Sequence, residues 1–435
     1  MKIFKHTLKV CLALFSIALN AQQTPAPIQS ESILITGATA HIGNGEIIEN
    51  SAIGFADGKI NFVGTAGSAD KSAYSKVIAA EGKHVYPGFI ALNTTLGLVE
   101  IDAVKATDDI DEVGAIIPNV RSLIAYNAES KVVETMRPNG VLMAQVAPRG
   151  SLITGTSSIV QLDAWNWEDA AIKTDDGIHM NWPSLYRRGR AWRGEDPGIK
   201  KNDEYESQIQ KVKDFFAAAA TYIKGDQSPR NLAYEAVQGL FDGTQKLYIN
   251  AAQEKQLIDA MNFAKTIDGL KIVFIGGDGA VPVASQLRDN GIPVIVSRPH
   301  RIPSLEDMNV KEPYKLAGEL VKEGVTVSID VSGSMERMST RNLPFYAGTF
   351  ATYGMDKERA LQMITLDAAK ILGIDDFAGS LATGKDATLF ICEGDALDMR
   401  SNQIPQAFIQ GRDLSLETHQ TTLWKRYSNK YAGQK

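Results

Sequence analysis

Cysteine and histidine are both scarce in this chain of 435 residues, which holds two Cys and six His. Cys11 lies in an N-terminal segment that reads as removable, so the mature chain keeps only Cys392 and can form no intrachain disulfide. Cys392 follows the apolar run Ala387-Thr388-Leu389-Phe390-Ile391 and reads as a buried small hydrophobe, not a nucleophile. No segment after the first 21 residues is long and apolar enough to cross a membrane. A basic surplus is missing as well: the formal charge is −6. Clustered Lys and Arg are what nucleic acids and anionic membranes reward, so neither partner is expected. Serine catalysis has no frame, because there is no G-x-S-x-G elbow and Gly333-Ser334-Met335 does not supply one. Gly277-Asp278-Gly279 is too short for a phosphate signature.

The first 21 residues have the layout of a secretory signal. Lys2, Lys5 and Lys9 make a basic start, Val10 to Leu19 is an apolar run, and Leu19-Asn20-Ala21 offers a cleavage site. No cysteine follows the run, which removes a lipoprotein anchor. The mature chain is therefore expected in the periplasm or outside the cell. Cleavage removes three Lys and no acid and takes the charge from −6 to −9.

A chain of this length with 44% hydrophobic residues can bury one large core and a small satellite. After a polar leader over 22–31, short β-prone runs alternate with turns from Ile33 to Val63, and Asp57-Gly58 marks a hairpin. Thr36-Gly37-Ala38-Thr39-Ala40-His41-Ile42-Gly43 resembles a dinucleotide-binding turn. It opens no helix, and so lacks the amides that such a turn needs for a pyrophosphate.

From Val85 strands and helices alternate. Strands are expected at Lys246 to Asn250, Leu270 to Ile275, Ile292 to Ser297 and Val325 to Ile329. The helices between them carry Leu257, Ile258, Met261 and Ala264, then Val283 to Arg288, then Leu316, Leu320 and Val321. A last helix starts at Asp356 and stops at Gly373, with Leu361, Ile364, Ala368 and Leu372 on one side. Such units indicate a parallel sheet, and eight of them close a barrel. The strands of the first half cannot be counted from the pattern. After the last helix the chain returns to β structure, and neither β-rich end is long enough to bury its own core. The expected fold is therefore α/β: a (β/α)8 TIM-type barrel over 86–375 with a small composite β-sandwich from 32–85 and 376–415. A tail over 416–435 completes the chain.

Three segments carry a family likeness. Val85-Tyr86-Pro87-Gly88-Phe89-Ile90 leads into Ala91-Leu92-Asn93-Thr94-Thr95, where the familiar pattern is PGFID-x-H-x-H. Arg341 to Phe345 and Ala360 to Gly373 form the second segment. Gly379 to Leu397, with Gly384-Lys385-Asp386-Ala387, forms the third. Together they resemble the amidohydrolase superfamily, closest to its imidazolonepropionase-like branch, and the resemblance spans about residues 31–415. It implies the same barrel and sandwich. The activity it implies is hydrolysis of carbon–nitrogen bonds other than peptide bonds, with one or two divalent metals such as zinc. The implied ligands are two His on strand 1, one His each on strands 5 and 6 and an Asp on strand 8, some branches adding a carbamylated Lys on strand 4.

Set against that pattern, the ligand positions read differently. Asn93 and Thr95 stand at the strand 1 positions, Asn250 stands where strand 5 would end in His, and strand 6 ends Phe274-Ile275-Gly276-Gly277. On strand 8 the Asp position falls near Ser332, and Asp330 fills it only if the strand ends two residues earlier. Of the six His, His6 leaves with the signal, His41 and His84 fall in or beside the sandwich and His419 in the tail. Only His179 and His300 remain for the barrel, too few for a centre with four. No metal or other cofactor is therefore expected.

Other candidates remain. Glu100, Asp102, Asp108, Asp109, Asp111 and Glu112 follow strand 1 and read as a solvated acidic loop, with Ca²⁺ or Mg²⁺ as the alternative. Arg298 and His300 fall in the loop after strand 7, on the face where barrel sites lie. His179 reads as loop packing. Tyr186 to Arg193 carries four Arg that suit an anion, or a solvated insertion neutralised by Glu195, Asp196, Asp203 and Glu204. Two functions stay open. One is a metal-free member with little or no hydrolase activity, whose pocket of Asn93, Thr95, Asn250, Asp330, Ser332, Arg298 and His300 binds a small molecule, or whose surface binds a catalytic amidohydrolase or a second copy. The other is an active amidohydrolase with a site rebuilt around Asp330, His300 and the acidic loop.

Overall fold

The computed structural model describes residues 24–432 except 190, 195, 304–307 and 334, so the signal segment, Arg190, Glu195 and Ser334 lie outside the described residues. Eight strands close into a barrel in sequential order: β1 Phe89–Thr94, β2 Val141–Val146, β3 Ile153–Gln161, β4 Ala171–Asn181, β5 Lys246–Ala251, β6 Ile272–Gly276, β7 Val294–Ser297 and β8 Val327–Asp330. Ile90, Leu92, Met143, Ile159, Tyr248, Val273, Ile275 and Ile295 form the inner cluster. Their neighbours Ala91, Ala144, Val160, Ile249, Phe274 and Val296 join the outer core with the surrounding helices. That alternation, apolar on both faces, is what a sheet covered by helices requires.

The second half of the barrel follows the expected pattern. β5, β6, β7 and β8 are mutually parallel, with the helices Glu254–Ala264, Ala284–Asp289 and Glu312–Lys322 between them. The first half does not. β3 runs antiparallel to both β2 and β4, so the barrel is eight-stranded and closed but carries one reversed strand. A parallel crossover takes a dozen or more residues, and only the turn over 147–152 joins β2 to β3. The chain therefore folds back as a hairpin there, and the turn emerges at the end of the barrel where β1 and β8 finish.

The last expected helix divides in two. Asp356 caps Lys357–Met363 by accepting from the Arg359 amide at 2.9 Å, and a second helix, Leu366–Leu372, ends at Gly373 in left-handed conformation. Thr365 breaks the run, and the carbonyls freed around it serve the barrel: the Ile90 amide donates to the Ile364 carbonyl at 2.9 Å and Ser328 Oγ to that of Met363 at 2.7 Å.

Two sheets form the second layer. One holds Ile33–Thr36, Ser51–Ala56, Lys59–Thr65 and Lys76–Ala79. The other pairs Thr39–His41, Ile47–Ile48 and His84–Pro87 with Leu389–Cys392, Gln406–Ile409 and Arg412–Asp413 from the far end of the chain. Ile35, Ile53, Phe55, Leu389, Ile391 and Phe408 fill the space between them. At the junction with the barrel, His41 bonds Glu358 at 2.8 Å and His84 at 3.0 Å. Among the described residues no helix is long and apolar enough to cross a membrane.

Candidate functional site

The mouth of the barrel is organised around Asn93. Its pairing with β2 shifts register between Ala91 and Thr94, and Asn93 takes φ +52°. Asn tolerates this left-handed conformation better than most residues, and bulges of this kind re-aim side chains near sites. Here the Asn93 amide donates to Gln145 Oε1 at 3.1 Å and its Nδ2 to Asp330 Oδ1 at 3.0 Å. Its Oδ1 and carbonyl accept from Arg149 Nη1 and Nη2 at 3.0 and 2.8 Å. All its polar groups are thus paired.

Asp330 is buried at the last position of β8, opposite Leu92 of β1. The strand ends there, two residues short of Ser332. The Ser332 amide and hydroxyl turn back to the Asp330 carboxylate at 2.9 and 2.5 Å. Burial raises the Asp330 pKa, while Ser332 and the charge of Arg149 oppose the rise. Arg149 comes from the hairpin turn and completes its contacts on Glu336 Oε1 at 2.6 Å.

Below this group lies a second polar network. Asp176 of β4 accepts from Ser157 Oγ at 2.7 Å, Gln145 Nε2 at 2.9 Å and Tyr248 OH at 3.0 Å. Burial raises its pKa, against the pull of these donors. His179 stacks on Tyr248 with ring centroids 4.6 Å apart, and its Nε2 has no hydrogen-bond partner among the described residues. Burial, with the nearby charge of Arg149, holds the imidazole pKa well below its ordinary value and keeps it neutral.

Of the residues expected at the site, the structure therefore brings together Asn93, Asp330 and Ser332. Thr95 is buried one residue beyond the β1 strand end. Asn250 is exposed and donates to Asn181 at 3.2 Å. His300 bonds Thr349 at 2.9 Å and packs edge-on to Tyr346, in a groove of about 400 Å³ with Lys357 and Asp395. Thr349, Tyr346 and Tyr314, the last tilted against the His300 ring, belong to the helices Leu343–Thr352 and Glu312–Lys322, not to the Asp330 group. Arg298 approaches Gly333, just after Ser332. Arg187 and Arg188 of the basic stretch lie on an exposed hairpin with Ile199–Lys201.

Sequence reasoning missed Arg149, Glu336, Gln145, Asp176 and Tyr248. A signal for Arg149 was present: Pro148-Arg149-Gly150 separates two β-prone runs, and a short Gly-containing turn between such runs indicates a hairpin.

The donor set does not suit a divalent metal. Among the described residues no group of three or more His, Cys, Asp or Glu side chains is placed to hold an ion. The amide of Asn93 is committed to Asp330 and Arg149, and the guanidinium brings its own positive charge. Of the side chains bonded directly to Asn93, only Asp330 offers one of the imidazole, thiolate or carboxylate donors that such ions need.

Comparison with known proteins agrees with this architecture. Residues 230–420 match the model of the amidohydrolase family. Among solved structures, an amidohydrolase from Thermotoga maritima MSB8 superposes with a TM-score of 0.75 at 21% identity, over 88% of this chain and 99% of that one. A Xaa-Pro dipeptidase with bound methionine in the active site gives 0.53 at 13% identity, over 88% and 100%. An adenosine deaminase from Xanthomonas campestris with bound zinc gives 0.53 at 13%, over 94% and 99%. No curated protein matches.

Proposed function

We propose that this chain, which belongs to the amidohydrolase superfamily by its fold and by the match of residues 230–420, has exchanged metal-dependent hydrolysis for binding. A small polar molecule at the barrel mouth, or a partner protein, is its target. One observation carries the reading: Arg149 is fixed by hydrogen bonds on Asn93 and Glu336 beside Asp330. A metal in that position would meet a guanidinium instead of imidazoles. The unpartnered Nε2 of His179 supports a polar ligand, because a buried nitrogen without a hydrogen bond costs about 1–3 kcal/mol that a ligand can recover. On this reading the protein acts in the periplasm or outside the cell, as the signal-like pattern of residues 1–21 suggests, and a catalytic amidohydrolase there is one candidate partner.

Metal analysis of the purified mature protein, with an amide and lactam hydrolysis screen, tests the proposal. The expected result is substoichiometric zinc and no turnover, and stoichiometric zinc would sink it. A second reading is favoured by one feature, the raised pKa of Asp330 under the Ser332 hydroxyl. A carboxyl tuned upward suits general acid–base work, so a rebuilt hydrolase site is the alternative. Turnover that disappears in Asp330→Asn would establish it.

A further inference from the structure

The C-terminal helix His419–Ala432 contains no buried residue. A helix of this length standing alone is marginal in water and draws its stability from packing an apolar face. Such a face is present. At 100° per residue Leu423, Trp424, Tyr427 and Tyr431 share one side, and Trp424 is 69% exposed, with Tyr427 and Tyr431 exposed beside it. The helix carries Lys425, Arg426 and Lys430 and no acid. Lys425 pairs with Glu417, whereas among the described residues Arg426 and Lys430 make no ion pair and lie over the rings of Tyr427 and Tyr431.

The acidic loop after β1 has the opposite character. Residues 100–112 hold six acids and one Lys. Lys105 takes Asp108 and Asp111, and Arg337 takes Asp102, which leaves Asp109 and Glu112 exposed and without an ion pair among the described residues. Among these charges Ile101 and Val104 are exposed, and Val113 is 99% exposed. The molecule thus displays an aromatic, cationic helix and an aliphatic, anionic loop, each with unpaired charges and uncovered apolar side chains.

We propose that each covers the other in a second copy of this chain. The helix of one protomer docks on the 100–113 loop of its partner, and a twofold axis makes the contact reciprocal. Aromatic rings meet Ile101, Val104 and Val113, while Arg426 and Lys430 meet Asp109 and Glu112. The docked helix lies beside the barrel mouth, because Asp102 holds Arg337 in the same short helix as Glu336.

Sedimentation of the full mature chain tests this without any assay of ligand or metal, so its outcome is independent of the proposed binding role. The expected species at low salt is a dimer that dissociates as salt rises. R426E/K430E weakens it by at least about tenfold, since reversal places like charges together. D109K/E112K does the same, and the two pairs combined restore the dimer. None of these residues is buried, and circular dichroism confirms that each variant folds. A monomeric wild type at about 100 µM, far above the Kd of a specific interface, overturns the proposal. So does a dimer that ignores both reversals. Attachment of a monomer to phosphatidylglycerol vesicles through Arg426 and Lys430 overturns it too, and assigns the helix to a membrane surface.

Discussion

The two halves of the barrel solve the same packing problem with different chemistry. In β5 to β8 the inner apolar cluster is Tyr248, Val273, Ile275 and Ile295, buried polar groups come only at Ser328 and Asp330 of β8, the strands are parallel, and helices connect them. In β1 to β4 one strand is reversed, and Gln145, Ser157, Asp176 and His179 stand among the buried residues. The family-model match begins at residue 230 and so covers the regular half. The difference shows how the polar groups are distributed: β6 and β7 are apolar inside, and the polar groups gather on β1 to β4 and at the Asp330 end of β8.

The contrast is broken most directly at Arg137, which lies just before β2 and is fully buried. It pairs with Asp163 in the β3–β4 turn, and Asp163 also accepts from Arg412 at 3.1 Å and from the Ala26 amide at 2.8 Å. Asp163→Ala leaves the guanidinium buried without its anion. The expected loss is about 3–5 kcal/mol in a urea titration. A loss below about 1 kcal/mol, the level of an exposed pair, would mean that the ions of the first half are not structural.

Arg149→Met is the next step down. It removes donors from the Asn93 carbonyl and side chain and from Glu336. Because Arg149 is partly exposed, water replaces some of these bonds, and the expected cost is about 1–3 kcal/mol. Zinc content of the same variant sharpens the comparison. On the proposed reading it stays substoichiometric, because among the described residues no group of three or more His, Cys, Asp or Glu is placed to hold an ion, with or without the guanidinium.

How much of this was legible follows the same division. The strands at 246, 272, 294 and 327 and the helices between them were readable because apolar residues recur there at strand and helix periods. Both ends of the sandwich were readable from their turns. Asn93 and Asp330 were found through the Pro87-Gly88 segment and the β8 run, and Ser332 as the position near which the family Asp was expected on that strand. The reversed β3 was not found, because antiparallel and parallel strands share one apolar period and differ only in connection length. His300 was assigned to the mouth from its loop, but the direction of its ring is set by Thr349 and Tyr346, which the loop sequence does not encode. The break at Thr365 was hidden for a similar reason: its carbonyl partners, Ile90 and Ser328, come from distant strands.

The third expectation concerns pH. Burial holds the Asp176 carboxyl above its ordinary 3.8. Below that value both folded and unfolded chains are protonated there, and the group does not penalise folding. As pH rises, the unfolded chain releases the proton first, so stability falls until the folded carboxyl has also ionised. Asp176→Asn removes this contribution, and its unfolding free energy should decline less than the wild type's between pH 4 and the folded titration. Asp330 shifts in the same direction, so the slope is reduced and not abolished. Equal slopes in the two proteins would show that Asp176 is compensated by its three donors.

The smallest effect is expected in the regular half, at Ile275→Val. The side chain is buried in the inner cluster with Val273 and Ile295, away from any titrating group of its own strand. Losing one methylene there should cost about 1 kcal/mol, as transfer plus a small cavity. The informative part is its pH dependence. If the two halves differ as their interiors do, the Ile275→Val penalty is the same at pH 4 and pH 8, while the difference between Asp176→Asn and wild type changes across that range. A penalty at Ile275 that follows pH would mean that the polar network reaches across the barrel, and the two halves would then have to be treated as one electrostatic unit.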